Sequence, residues 1–282
     1  MVQGAAKDSK ATRATSTMKI LIGTPAYGDS VTTTYCETMF WLFDHFRANH
    51  PHIRLDHKFL SFSLLPYMRN YFASRVLNDA SYTHLLFIDA DMGFSPTLIE
   101  HMIAADKPVV GCIYPRRALD LNRVFALRDR VDDINIAKLV AQDYVGAGTS
   151  IDFGEELEVG SKFDIEKMAV DGPAVRVKHA GTGVMLIKRE VFEQLKARYP
   201  ELWSEQIKGS YGNFGLEGGV LQCFETMPDK NGIFVGEDIA FCKRWVEGCG
   251  GEIWSVVTET IVHVGTDRFV GRFLTKLEHG LA

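Results

Sequence analysis

The chain has 282 residues, 46% of them hydrophobic and 24% charged. These are ordinary globular proportions, which exclude a disordered, collagen-like or coiled-coil chain and allow a core without disulfide staples. Thirty-one basic residues against 36 acidic ones leave a net charge of -5, so the molecule offers no overall field to a nucleic acid, and such a partner would need a local patch.

Residues 1–17 carry Lys7, Lys10 and Arg13 among Ser, Thr and Ala, without the apolar run of a secretory signal. They are expected to be a flexible tail ahead of one domain over 18–282. The run 18–23 (MKILIG) ends in Gly23-Thr24-Pro25 and predicts a buried strand entering a loop. Met39, Leu42, Phe43 and Phe46 then recur at helical spacing, with Thr32 to Thr34 as caps. A second strand is expected over 53–60, and a helix bearing Leu65, Met68, Phe72 and Val76, with Pro66 in its first turn. The run 84–88 (HLLFI) is a third strand that ends in Asp89-Ala90-Asp91. Ser95-Pro96 opens a helix to about Ala105, and 109–114 (VVGCIY) is a fourth strand. This alternation implies an α/β fold with a mostly parallel sheet, helices on its faces and ligands at the carboxyl ends of the strands.

The periodicity lapses over about 115–172, which holds Arg116, Arg117, Arg123, Arg128 and Arg130 and then Glu155, Glu156 and Glu158. This segment is expected to be an excursion from the sheet, facing an anionic acceptor or only solvent. Further strands are expected over 174–179, 183–188, 220–226 and 253–257, with helices over 189–198 and from about Glu237 to Gly248. A glycine-rich segment spans 209–219. No stretch approaches the ~18 apolar residues of a membrane-spanning helix. Five cysteines are an odd number, and positions 36, 112, 223, 242 and 249 include no CxxC. Reduced, mostly buried thiols and a cytoplasmic location are the expectation.

Asp89 and Asp91 are two apart on an extended segment, so both carboxylates can face the mouth of the sheet. Their repulsion calls for a cation or hydrogen-bond donors, and hard oxygen ligands suit Mg²⁺ or Mn²⁺. The bare string also fits a helix-capping Asp beside a surface Asp. Its context is more specific: a Thr-Pro loop after the first strand, a third strand ending in DxD, Glu237-Asp238 at a helix start and a lone His263 far downstream. Taken together, these resemble the GT-A fold glycosyltransferases, the family-2-like bacterial and viral type, over residues 18 to about 265.

The resemblance implies a nucleotide-diphospho-sugar transferase fold and a UDP- or GDP-sugar donor. It also implies an acceptor hydroxyl, on a glycan or another molecule, and Mn²⁺ or Mg²⁺ as cofactor. Carried onto this chain, Asp89 and Asp91 hold the metal, with Asp91 the firmer ligand and Asp89 nearer the ribose, and Ala90 between them is a nucleotide-sugar-binding residue. Thr24, Pro25 and Tyr27 line the nucleobase pocket, and His263 completes the metal site. Asp238 is the general base of an inverting transfer, with Glu237 as the near alternative. Arg69, beside Asn70, can pair with a phosphate, or it can lie on a solvated helix face. Gly181, Thr182 and Gly183 let the backbone approach a sugar or form a tight turn. Trp203, Tyr211 and Phe214 can stack on an acceptor or belong to the core.

Three other functions compete. A haloacid-dehalogenase-like phosphatase uses DxD after its first strand. A sugar-nucleotide pyrophosphorylase wants a basic, Gly-rich first loop, which Thr24-Pro25-Ala26-Tyr27 does not supply. A non-catalytic carbohydrate-binding protein remains if Asp238 only caps a helix.

Overall fold

A computed structural model describes residues 18–145, 151, 169–205 and 210–279. The tail expected at 1–17, the acids Glu155, Glu156 and Glu158, and Gly209 at the head of the glycine-rich segment lie outside them. In chain order the first half contains β1 (Met18–Pro25), α1 (Thr33–Asn49), β2 (Ile53–Leu60), α2 (Leu65–Asn78), β3 (His84–Ile88), β4 (Met92–Gly93), α3 (Thr97–Ala104), β5 (Val109–Cys112) and β6 (Tyr114–Pro115). Local chemistry sets the helix starts. The Thr32 hydroxyl accepts the Tyr35 N–H at 3.1 Å as the N-cap of α1, and Pro66 occupies the first turn of α2, where its missing N–H is no loss.

Within the region expected to leave the sheet, residues 116–145 form α4 (Leu121–Ala126), α5 (Ile134–Ala141) and β7 (Tyr144–Val145), the last paired with β6, whereas Ile151 bridges Val177 and Val170–Asp171 pairs at the edge of the central sheet. Asp120 and Asp133 cap the two helices through their side chains. Val124, Leu127, Val131, Ala137 and Val140 form a small core of their own. The chain returns through β8 (Val170–Asp171), β9 (Ala174–Val177), β10 (Val184–Lys188), α6 (Arg189–Arg198), β11 (Trp203–Ser204), α7 (Ser210–Asn213) and β12 (Val220–Leu221). It ends with β13 (Met227–Pro228), β14 (Phe234–Val235), α8 (Glu237–Lys243), β15 (Ile253–Val256), β16 (Ile261–Val264), β17 (Arg268–Gly271) and α9 (Phe273–Glu278). A π-helical turn over Arg244–Gly248 continues α8.

The central sheet has eight strands in the order β2-β1-β3-β10-β5-β15-β9-β8. β2, β1, β3, β5 and β15 run in one direction; β10 enters antiparallel between β3 and β5, and β9 antiparallel between β15 and β8. The sheet is therefore mostly parallel in direction but mixed in pairing. Successive side chains of β3 alternate between two cores: Leu85 and Phe87 pack with α2, α6 and α8, while Leu86 and Ile88 pack with α1 and α3. Burial on both faces explains the unbroken apolar run over residues 85–88 of β3. The strand expected over 220–226 is only two residues long, because Phe224 turns into the core and its N–H bonds the Asn70 side chain at 2.9 Å. Among the described residues no helix is long and apolar enough to cross a membrane, and the five cysteines are unpaired.

Candidate functional site

The chain leaves the sheet at Asp89. Its N–H bonds Gly183 O on β10's side at 2.8 Å, and the next turn closes through Met92 N to Asp89 O at 3.1 Å. The Ala90 carbonyl accepts both the N–H and the hydroxyl of Thr32, at 2.9 and 3.2 Å. The cap of α1 therefore anchors the backbone between the two aspartates. Beyond it, β4 pairs with β16, bringing His263 opposite Met92.

Arg69, on α2, is only 1% exposed, so the solvated-face alternative fails. Its Nη2 lies 2.7 Å from Asp89 Oδ1 and donates to Oδ2 at 3.0 Å, while the guanidinium sits 4.7 Å from the Phe87 ring centre. Its Nε and Nη1 have no hydrogen-bond partner among the described residues. Burial pushes the Asp89 carboxyl up to about 6, against the pull of Arg69 and with a further push from Asp91. Glu237, in the first turn of α8, is likewise raised by burial and held down by Arg69. One buried cation thus serves two carboxylates from different elements.

Asp91 makes different contacts. Its Oδ2 lies 3.1 Å from Arg117 Nη1 and 3.4 Å from His263 Nε2. His263 Nδ1 is 2.9 Å from Pro115 O, a carbonyl that can only accept, so Nδ1 is protonated and Nε2 is the ring nitrogen that faces Asp91. The Tyr114 ring packs edge-on against this imidazole, with centres 5.4 Å apart.

An open cleft of about 550 Å³ lies against these groups, walled by Pro25, Tyr27, Ser30, Val31, Thr32, Phe62, Ser63, Leu65, Met68, Asp89, Ala90, Asp91 and Arg117. Tyr27 is 73% exposed at the tip of a turn where Gly28 (φ 66) and Asp29 (φ 56) take left-handed backbone. Of the residues expected at a nucleotide, Pro25, Tyr27, Asp89 and Ala90 stand on its walls, together with Asp91. Thr24 does not, since its hydroxyl is fully buried between Tyr35 Oη at 2.7 Å and His57 Nε2 at 3.2 Å. Gly181, Thr182 and Gly183 lie behind Asp89. A Cβ at Gly183 would stand 2.8 Å from Tyr114 Cζ, and the Tyr114 hydroxyl accepts the Gly183 N–H at 3.3 Å. These glycines admit a tyrosine.

Asp238 accepts the Ile239 N–H at 2.7 Å through its own side chain, and its charge acts on Tyr114 and His179. Asn70 bonds Glu225 Oε1 at 2.8 Å. Tyr211 stacks on Tyr67 with centres 3.6 Å apart, Phe214 packs around Phe62 and Tyr71, and Trp203 lies under Lys196. All three aromatics border the core.

Sequence reasoning missed the roles of Arg117 and Tyr114. Arg117 was one arginine among several in the excursion. Tyr114 had a readable signal, a large residue at a strand end with Gly-x-Gly on the neighbouring turn. Asp91 and His263 suit a divalent ion: one carboxylate and one imidazole, with the pyrrole-type proton held elsewhere, stand close to the ~3 Å edge of an octahedron with ~2.1 Å bonds. Asp89, drawn to Arg69, does not converge with them. The one set of three His, Cys, Asp or Glu ligand atoms within 4.8 Å of each other among the described residues is His45, His50 and Glu100.

No family model and no curated protein matches the chain. Among solved structures, A197 from STIV is similar at 15% identity over 88% of this chain and 86% of that one, with a TM-score of 0.42. GalNAc-T7 with UDP, GalNAc and Mn²⁺ is similar at 12% identity over 88% of this chain and 44% of that one, with a TM-score of 0.43. The chain thus spans less than half of the GalNAc-T7 chain. HddC from Yersinia pseudotuberculosis shares 10% identity over 83% of this chain and 98% of that one, with a TM-score of 0.25. At such values none of these likenesses bears on what the chain does.

Proposed function

We propose that the chain is a metal-dependent glycosyltransferase that moves a sugar from a UDP- or GDP-sugar to an acceptor hydroxyl. The observation that carries this reading is the Asp91–His263 pair at the edge of an open cleft, its imidazole oriented by the Pro115 carbonyl, two residues from a second carboxylate held by a buried arginine. Bound by Asp91 and His263 beside Asp89, Mn²⁺ or Mg²⁺ would neutralise the charge that grows on the departing diphosphate.

The chain's own residues do the remaining work. Tyr27 and Phe62 offer ring faces to a base, and Arg117 is the cation on the cleft wall that can turn to phosphate oxygens. Arg69 holds Asp89 in place and favours its charged form. Asp238, at the start of α8, takes the proton of the acceptor hydroxyl. One observation favours Glu237 for that step: burial raises its carboxyl, whereas Asp238 is already bonded to a backbone N–H.

Incubation with UDP-, GDP-, CDP- and dTDP-sugars tests the reading. The expected result is slow, Mn²⁺-dependent release of nucleoside diphosphate from one of them. Release of inorganic phosphate from a sugar monophosphate, with no nucleoside diphosphate from any of the sugar nucleotides, would instead make the DxD pair a phosphatase site, and stabilisation without turnover would leave a binding protein.

A further inference from the structure

At the far end of α1 from the cleft stands a second constellation, made of His45, the helix-capping His50 and Glu100 in the first turn of α3. Glu100 Oε1 lies 2.7 Å from His45 Nε2 and 2.6 Å from His50 Nε2. The three ligand atoms all lie within 4.8 Å of one another. Thr32, on the cleft wall, precedes His45 by 13 residues, about 20 Å of helix at about 1.5 Å per residue.

The convergence is built by the backbone. Five residues along a continuous helix would turn His50 about 140° away from His45. Instead His50 leaves the helix with φ -130 and ψ 56, which swings its imidazole back over the last turn. That conformation is fixed from both sides: His50 N–H bonds Phe46 O at 2.9 Å, and His50 O accepts from Ile53 N at 2.9 Å, the first residue of β2. Its ring also packs 5.0 Å from that of Phe46. All three side chains are roughly one-third exposed, so an ion can enter and water can complete its shell.

We propose that His45, His50 and Glu100 bind a transition-metal ion of the Zn²⁺ type, distinct from the ion of the cleft. Two imidazole nitrogens and one carboxylate oxygen with an open position form a zinc donor set; Mg²⁺ and Ca²⁺ prefer oxygen alone. Tetrahedral bonds of about 2.0–2.1 Å place ligand atoms about 3.3 Å apart. The present contacts widen to that value by small rotations of half-exposed side chains. The Nε2 proton that each imidazole points at Glu100 must leave for the metal to take its place, with Nδ1 then carrying the ring proton. For His45 the new Nδ1–H meets the side-chain amide of Asn49, now 3.2 Å away, whose oxygen accepts it if the amide turns and gives up its present 3.0 Å bond to His45 O. The two histidines already hold Glu100 below the usual carboxylate range, so its oxygen is ionised and ready. The ion would clip the end of α1 to α3 and bind only the folded chain, which raises Tm.

Titration of the full chain with ZnCl₂ alone, and with Co²⁺ for its visible absorption, tests this. A His263→Ala background removes the competing imidazole of the cleft. The expected result is one equivalent of tight Zn²⁺, a rise in Tm and Co²⁺ absorption of low-coordinate character. His50→Ala or Glu100→Gln added to that background should weaken Zn²⁺ by at least ~10-fold. Glu100→Gln keeps the shape of the side chain, so it decides the matter if the histidine variant is poorly folded. Zn²⁺ affinity unchanged by either substitution, or no Zn²⁺ binding at all, would reduce the cluster to a hydrogen-bonded triad. Donor turnover in the cleft would stand or fall separately.

Discussion

A side chain added at Gly183 would meet the Tyr114 ring at 2.8 Å, and one at Gly181 would meet its hydroxyl closer still. Tyr114 cannot move aside without disturbing His263, against whose imidazole it packs. Gly183→Ala should therefore cost about 1–3 kcal/mol, the usual range for overpacking, and should also weaken Mn²⁺-dependent stabilisation. Tyr114→Phe keeps the ring and removes one hydrogen bond, at about 1–2 kcal/mol. Urea midpoints with and without Mn²⁺ measure both; an alanine as stable as wild type would mean that the turn opens freely. Arg117 carries a different expectation, because it and His263 crowd the same oxygen of Asp91. Arg117→Ala should bind Mn²⁺ more tightly in the absence of nucleotide and nucleoside diphosphate more weakly in its presence. Calorimetry showing both affinities falling together would make Arg117 a structural partner of Asp91 only. At this scale the sequence singles out Asp89, Asp91 and His263 as candidates, because carboxylates after an apolar strand and a histidine among β-formers are locally odd, but it gives no sign that Asp89 turns to Arg69 and away from the other two. It left Arg69 ambiguous: an arginine on a helix reads as solvated until the aspartate it meets, 20 residues on, is placed.

The start of α8 is where the proposed chemistry and helix stability overlap. Asp238 and Glu237 both favour the helix N-terminus electrostatically, and no side chain caps it at Gly236. Asp238→Asn retains a side-chain oxygen for the Ile239 N–H but cannot accept a proton as a carboxylate does. Glu237→Gln is the matching neutral change beside Arg69. Whichever residue is the base should lose transfer by ~10²- to 10⁴-fold with its melting temperature and nucleotide affinity nearly unchanged. Loss in neither variant would leave both acids as helix stabilisers. Thr32 offers a second test of an element boundary. Thr32→Ala removes the cap of α1 and should cost about 1 kcal/mol. It should also loosen the Ala90 carbonyl that the cap holds, so nucleotide stabilisation should fall along with Tm. The long elements α1, β2, α2, β3 and α6 were legible because each carries its own periodicity and end signals. The helices α4 and α5 were not. They are six and eight residues long and face a satellite cluster, so their apolar positions never complete a recognisable stripe.

The arrangement of the whole sheet was legible only in part. Alternating β and α units predicted parallel strands through β5, and the mouth of the sheet as the site, but nothing local marks β10 for insertion between β3 and β5 in the opposite direction. That insertion places Lys188 directly across from His84. His84 is buried at the head of β3, and burial, with the Lys188 charge beside it, pushes its pKa down to about 4. The folded protein therefore keeps this imidazole neutral over a range where the unfolded chain, with an ordinary value near 6.5, takes up a proton. The sign follows from linkage: the stabilising contribution is complete above about pH 6.5 and is lost as pH falls toward about 4, at up to about 1.4 kcal/mol per pH unit. His84→Asn, which does not titrate, should lose packing stability at pH 7.5 but should also lose this pH dependence. The stability gap between wild type and variant should accordingly narrow from pH 6.5 to about 4. His57, pushed down to about 4 by its own burial, and the cleft carboxylates are common to both proteins and cancel in the difference. Urea unfolding of the pair at intervals of half a pH unit gives the gap directly, and two parallel curves would mean that His84 takes up its proton at the same pH folded and unfolded.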